Sequence, residues 1–280
     1  MSSWLVNKDH IPRSKVIFTS PKPIVTCVLR SGLGNRLFQI LAGLGYAERT
    51  GKEFVLCEKY IFDNFHTGSR LTIQIIIAIF PNIKFYRGTV DTWNHHHEDP
   101  LRFYDGILAD TMDGAVMLHG YFQNEAHFPT NIKSRFTIPK PDICNFDCNG
   151  IHFESTYFVH FRLGDYVDSE YDILSDDYYK EAIRRIKEKI PGCRFLIFSD
   201  EPGKLDIVQY GLNQDDIIVR NVGVWETLYL MSRCKGAVCA NSTFSWFGAF
   251  AIRGSGDIFM PSKWKMGIST SPVPSWAIAI

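Results

Sequence analysis

Ile24-Val25-Thr26-Cys27-Val28-Leu29, then Arg30-Ser31-Gly32-Leu33-Gly34-Asn35, then Arg36 to Thr50, then Glu53-Phe54-Val55-Leu56-Cys57: these four consecutive pieces decide the fold. The first is a short apolar run with the length and β-branched content of a buried strand, and the second is a glycine turn. In the third, Leu37, Ile40, Leu41, Leu44 and Ala47 recur at three- and four-residue spacing and make one apolar helical face. Gly51-Lys52 stops that helix and a second strand begins. Strand, glycine turn, helix and strand in this order form a βαβ unit, the building block of parallel sheets covered by helices.

The pattern restarts in the second half. A strand is expected over 156–162, a helix over 176–190 opening on Ser175 or Asp176, and a strand over 194–198. A helix near 225–233, a strand over 236–239 and a helix from about Phe244 follow. Between the halves, Pro139 to Gly150 is polar, proline-bearing and aperiodic, as an interdomain linker is. The expected organisation is a loose leader (1–22), an amino-terminal Rossmann-like domain (23–140), a linker (141–153) and a carboxyl-terminal Rossmann-like domain (154–280). The expected class is α/β, with the two domains facing across a ligand cleft.

Composition narrows the partners. Thirty Lys and Arg balance 30 Asp and Glu, so no global field draws nucleic acid, and an anion has to be met by a local cluster. Seven scattered cysteines, without a C-x-x-C pair or zinc-type spacing, fit a reducing compartment better than a disulfide framework. The first ten residues lack the apolar core of a signal peptide, and no run approaches the roughly 20 apolar residues of a membrane span. A cytoplasmic protein is expected. The oligomeric state is not readable.

Five segments carry candidate chemistry. Tyr157-Phe158-Val159-His160-Phe161-Arg162-Leu163-Gly164-Asp165-Tyr166 is a strand ending in an imidazole, a guanidinium, a glycine and a carboxylate. Alternation puts His160 and Arg162 on one face, where a planar guanidinium suits a diphosphate; a structural Arg–Asp ion pair is the other reading. Gly32, Gly34 and Asn35 enter a helix whose first N–H groups can meet an anion or a sugar hydroxyl, although Leu37 breaks the dinucleotide fingerprint. His119-Gly120-Tyr121-Phe122-Gln123-Asn124-Glu125 sets amides and a carboxylate among aromatics, as a carbohydrate site does and as a core edge also can. Asp200 ends another strand and can accept from a base or ribose or cap a turn. Asn241, Ser242, Thr243 and Ser245 form a hydroxylated strand-to-helix turn, a phosphate cradle. Asn241-Ser242-Thr243 also matches a glycosylation acceptor, a reading set aside for a cytosolic chain. His95-His96-His97 with Glu98 and Asp99 is read as a solvated loop, because three consecutive residues seldom converge on one ion; no metal site is expected.

Together these segments resemble the α-1,2-fucosyltransferase family, the family 11-like inverting glycosyltransferases that use nucleotide sugars. Gly32 to Gln39 is similar to its G-L-G-N-Q-L-F-Q motif, with Arg36 in place of glutamine. Gly120 to Glu125 resembles G-Y-F/W-Q-S/N-E, Val159 to Tyr166 resembles V-H-I-R-R-G-D-Y, and Asn241 to Ala249 resembles N-S-T-F-S-W-W-G-A. Order and spacing agree over about residues 24 to 265. The resemblance implies a GT-B architecture, GDP-fucose as donor, a galactose-type 2-hydroxyl of a glycan as acceptor, α-1,2 linkage with inversion, and no metal or other cofactor. It places Arg162 on the β-phosphate, His160 and Asp200 near the nucleotide, and Ser242, Thr243 and Ser245 along the diphosphate. Asp165 and Glu125 are the carboxylates to consider for the general base. Leu163 stands where the family has a second arginine, which leaves open a different donor sugar or a relative that binds without transferring. The absence of an animal-type Golgi anchor matches the soluble bacterial or viral members.

Overall fold

The computed structural model of the chain describes residues 11–61, 69–98, 112–268 and 271–280. The chain divides into two compact units, Met1–Arg135 and Phe136–Ile280.

In the first unit the elements run β1 (Val16–Ile17), β2 (Ile24–Cys27), α1 (Leu33–Thr50), β3 (Glu53–Phe54), β4 (Leu56–Cys57), α2 (Glu58–Ile61), α3 (Ser69–Ile79), β5 (Phe85–Tyr86), β6 (Trp93–His97), β7 (Ala115–His119) and α4 (Ile132–Arg135). They build a parallel sheet of order β3-β2-β7-β6 and a smaller parallel one of order β1-β5-β4. All four residues of β2 are buried, which is why the strand does not alternate, and its one polar side chain, Thr26, accepts from Cys57 N–H. Val25, Cys27, Ile40, Tyr46, Leu56, Phe85, Val116 and Leu118 share one core.

Four expectations change here. Helix α1 begins at Leu33, so Gly34 and Asn35 lie in its first turn, and the left-handed residue of the preceding turn is Ser31 (φ 60°). The run from Glu53 to Cys57 is not one strand: β3 pairs with β2, and β4 pairs with β5 of the other sheet. The part of the leader inside the described residues is not loose, since Ile11 is buried and β1 pairs with β5; Met1 to His10 lie outside the described residues. His95-His96-His97 is not a loop either. It belongs to β6, an edge strand in register with the apolar β7, which sets its alternation.

The second unit contains β8 (Thr156–Phe161), α5 (Asp176–Lys189), β9 (Arg194–Ser199), β10 (Ile217–Ile218), α6 (Val224–Arg233), β11 (Gly236–Val238), α7 (Thr243–Phe250), β12 (Ile258–Met260) and β13 (Ile278–Ala279). Its sheet is parallel throughout, in the order β10-β9-β8-β11-β12-β13. Tyr157, Val159 and Phe161 of β8 meet Tyr179, Ile183 and Ile186 of α5 in its core. Residues 136–152, which include most of the expected linker, form no helix or strand but belong to this unit. The Pro139 carbonyl accepts from the Trp225 indole, and the Glu226 carboxylate accepts from Phe146 N–H. Each unit is a parallel sheet with helices, the architecture expected of each half of a GT-B fold. Among the described residues no helix is long and apolar enough to cross a membrane.

Packing of α1 gives the first prediction. A Cβ on Gly45 would stand 2.0 Å from the His127 carbonyl oxygen, a backbone atom that cannot rotate away. Alanine normally stabilises a helix interior by about 1 kcal/mol over glycine. Gly45→Ala is expected instead to destabilise by about 1–3 kcal/mol, as overpacking does, read as a lower urea midpoint. A raised midpoint would remove the close approach of α1 to this segment.

Candidate active site

In the four-stranded sheet of the first unit and the six-stranded sheet of the second, the strand order reverses beside the first long strand. In the second unit β9 and β10 lie on one side of β8, and β11, β12 and β13 lie on the other. In the first unit β3 flanks β2 on one side and β7 on the other. Loops leaving the carboxyl ends of such neighbours diverge, and the crevice they open is where α/β sheets bind ligands. Four of the five sequence segments sit at these reversals: Gly32–Asn35 after β2, Gly120–Glu125 after β7, Arg162–Tyr166 after β8, and Asn241–Ser245 after β11.

At the end of β8, Arg162 is held on three sides. Its Nη2 is 2.7 Å from Asp165 Oδ1, its Nε is 3.3 Å from Asp200 Oδ2, and its guanidinium carbon lies 5.2 Å from the centroid of the Tyr166 ring. The side chain remains 31% exposed, so the guanidinium is oriented without being covered. Asp200 does more than meet this cation: its carboxylate accepts from the N–H groups of Leu163 (2.8 Å) and Gly164 (3.0 Å). Gly164 is glycine because a Cβ there would fall 2.7 Å from Asp200 Oδ2. Leu163 turns the other way and packs against the core around Phe161 and Tyr179.

His160 shares the sheet face of Arg162, its ring 6.2 Å from that of Phe244 at the start of α7. It is buried, and its Nδ1 has no hydrogen-bond partner among the described residues. Burial first, then the Arg162 charge, push its pKa down to about 4 against a smaller opposing effect of Asp200. The ring is therefore neutral at pH 7 and keeps one unspent polar atom.

The turn into α7 is less open than its composition implies. Ser242 caps the helix by accepting from Phe244 N–H. The buried Ser245 hydroxyl hydrogen-bonds to the carbonyls of Ala240 and Ser242, and Asn241 Nδ2 donates to the carbonyls of Tyr171 and Trp264, both at 2.9 Å. Asn241 and Ser245 thus shape the turn. Thr243, the first residue of α7, is half-buried.

In the first unit, Gln39 ties the two motif segments together: its Oε1 accepts from Arg30 N–H, and its Nε2 donates to the Gly120 carbonyl, each at 2.9 Å. Gln123 Nε2 donates to Asn35 Oδ1 (2.7 Å), and Ser31 Oγ lies 3.0 Å from the Tyr121 hydroxyl. The buried Gln123 Oε1 is without a hydrogen-bond partner among the described residues. Glu125 is half-buried and opens a short 3-10 turn that Asn124 caps.

Glu98 is absent from the sequence-derived set. Its carboxylate accepts from Tyr121 N–H (2.6 Å) and Phe122 N–H (2.9 Å), holding a segment in which Phe122 adopts φ 50°. Burial raises its pKa to about 7 against those two hydrogen bonds. In the sequence it reads only as part of the polar run after His95-His96-His97. Asp99 lies outside the described residues. His119, whose pKa is lowered to about 4 by burial first and then by its neighbours His97, His95 and Arg30, meets His95 and His97 of the adjacent strand, a cluster no local motif announces.

Residues 113–265 match the model of the family described as Glycosyl transferase family 11. An α-1,2-colitosyltransferase of Escherichia coli is 28% identical, over 90% of this chain and 92% of that protein. The O-antigen biosynthesis glycosyltransferase WbnK of Escherichia coli is 25% identical, over 89% of this chain and 98% of that protein. A solved structure of the α-1,6-fucosyltransferase NodZ soaked with GDP-fucose is 14% identical over 82% of this chain and 93% of that one, at a TM-score of 0.49.

The electrostatics of His160 yield a pH prediction. Its pKa of about 4 in the folded chain lies below the ordinary value of 6.5, so the unfolded chain takes up a proton first as the pH falls. Stability associated with the neutral ring is complete above pH 7 and is lost progressively from about 6.5 toward 4. Between pH 7 and 4.5 this one group is expected to cost about 2–3 kcal/mol. His160→Asn should reduce the acid-side loss by that amount, measured as urea unfolding free energy at the two pH values. An unchanged pH dependence would show that the imidazole is not held neutral.

Proposed function

The chain belongs to glycosyl transferase family 11, and from that membership and the geometry around Arg162 we propose that it transfers fucose from GDP-fucose to a galactose-type 2-hydroxyl of a glycan, with inversion, in α-1,2 linkage. The observation that carries this reading is a guanidinium oriented by two carboxylates and an aromatic face, at the point where the sheet order reverses and α7 begins.

The chemistry follows from where charge develops. The acceptor oxygen attacks the anomeric carbon, the bond from that carbon to the diphosphate breaks, and negative charge accumulates on the β-phosphate. A cation fixed in advance stabilises that charge more than it stabilises the bound donor, which is the condition for faster transfer. Arg162 fills this role, with the Thr243 hydroxyl at the start of α7 assigned to a remaining phosphate oxygen. Asp165 and Asp200, both engaged with Arg162, serve as its orienting groups. The unspent Nδ1 of neutral His160 is assigned to a hydrogen bond with the nucleotide. On the first unit, Gly120 to Glu125 and Asn35 are assigned to the acceptor glycan, with Glu125 taking the proton of the attacking hydroxyl. No cofactor enters these steps. The free cysteines, five of them buried, suit a cytosolic setting.

A second donor reading is favoured by the colitosyl-transferring relative. Colitose is fucose without its 3-hydroxyl, so both readings keep the same leaving diphosphate and differ only in one sugar contact. GDP-linked sugars are expected to be used in preference to UDP- or CMP-linked ones, in the presence of EDTA as well as without it. Leu163→Arg is expected to leave GDP-fucose binding unchanged or stronger, because position 163 lies on the opposite side of the chain from Arg162. Isothermal titration across a donor panel checks this, and a uridine sugar binding more tightly than GDP-fucose would overturn the donor assignment.

Arg162→Ala is expected to lower transfer at least ten- to a hundredfold, the equivalent of losing a charge-assisted contact of about 1.5–3 kcal/mol, with the fold intact. Lysine at this position should restore only part, since it cannot reproduce the fork that Asp165 and Asp200 orient. Wild-type turnover and donor affinity in Arg162→Ala would remove the residue from the reaction.

A further inference from the structure

We propose that His95, His97 and His119 form a binding site for a divalent transition ion of the zinc class, at the carboxyl edge of the four-stranded sheet in the first unit. Residues i and i+2 of a strand point to the same face, so His95 and His97 of β6 project together while His96 projects to the other. The register of the parallel pair sets His97 directly beside His119 of β7. One ligand nitrogen from each of the three rings lies within 4.8 Å of the other two. His95 Nδ1 and His119 Nε2 are already 2.8 Å apart, and the His97 and His119 rings stack at 4.4 Å with 12° between their planes.

Zinc–imidazole bonds of about 2.0–2.1 Å place tetrahedral nitrogens roughly 3.3 Å from one another, so small rotations of these side chains suffice to aim them at one ion. His95 and His97 are exposed and His119 is half-buried, which leaves both an entry path and room for the rings to turn. A ligand set of imidazoles selects zinc, cobalt, nickel or copper over magnesium and calcium, which require oxygen ligands. Three protein ligands leave a fourth position for water or another small donor.

The place in the fold indicates the consequence. His97 immediately precedes Glu98, which holds the Tyr121 and Phe122 N–H groups, and His119 immediately precedes Gly120, whose carbonyl Gln39 holds. An ion bridging β6 and β7 there fastens β7, from which the Gly120–Glu125 segment departs, to β6, which leads into Glu98. It acts as a strut for that segment, outside the bond-breaking step, and it stands or falls independently of the transfer proposal.

Binding can be read without activity. Tag-free protein stripped with EDTA and desalted should bind one equivalent of cobalt(II), seen as the visible d–d absorption of a four-coordinate site, and one equivalent of zinc should displace it. His97→Ala and His119→Gln are each expected to weaken zinc binding at least tenfold by isothermal titration, whereas His96→Ala should leave it unchanged. The proposal is overturned if wild type shows no stoichiometric binding, if His97→Ala binds as wild type does, or if His96→Ala loses as much as His97→Ala. The last result would mean that the three consecutive histidines, and not the shared face of two strands, hold the ion.

Discussion

The reversal of strand order beside β2 and beside β8 is the constraint on which the other features depend. Parallel strands need crossovers, and when successive crossovers leave a strand in opposite directions, no backbone covers the carboxyl ends at that point. Every buried N–H and C=O still requires a partner, so the loops there are held by side chains in place of a ladder. Asp200, Gln39 and Glu98 do this work, each accepting from backbone N–H groups of a loop that follows a strand. Arg162 and Gln123, the polar side chains proposed to meet ligand, are neighbours of these braces, and their positions follow from them.

The two sites use this bracing differently. Around Arg162 it is electrostatic: one carboxylate satisfies two backbone donors and also meets the guanidinium, so the turn that Asp200 holds sets where the arginine finds its partner. Around Phe122 it is conformational. A buried aromatic residue at φ 50° carries strain of about 1–3 kcal/mol, and the two hydrogen bonds to Glu98 offset it. Ser31, at φ 60°, stands in the same relation to Gln39 and Tyr121. Strained backbone at two facing loops of one unit fixes polar side chains in advance of any ligand.

Much of this was legible in the sequence, because the information is local. Strand–turn–helix order, the sheet face shared by His160 and Arg162, and the helix boundaries of the second unit all follow from periodicity within a dozen residues. Pairings across the sheet were not legible. His119 lies 24 residues from His95, and only the β6–β7 register brings them together. Glu98 looked like part of a polar run until its carboxylate met the Tyr121 and Phe122 N–H groups. Ser245 and Asn241 show the reverse error: residue types suited to a phosphate are equally suited to closing a tight turn, and here their side chains are turned inward.

Leu163 shows why composition at a motif is a weaker guide than direction. In the sequence it is a lost cation beside a retained one, which leaves open a different donor sugar or a relative that binds without transferring. Its backbone N–H nevertheless donates to Asp200, as any residue at that position could, and its side chain lies against the aromatic core of the second unit. The bracing of Arg162 therefore survives the replacement intact, since it runs through the main chain. What leucine changes is the far side of the turn, where a guanidinium would have had to leave the apolar cluster around Phe161 and Tyr179 to find water or an acid. The residue at position 163 thus decides what that side of the loop packs against, and the orientation of the charge at the end of β8 is set by Arg162 and the two aspartates that hold it.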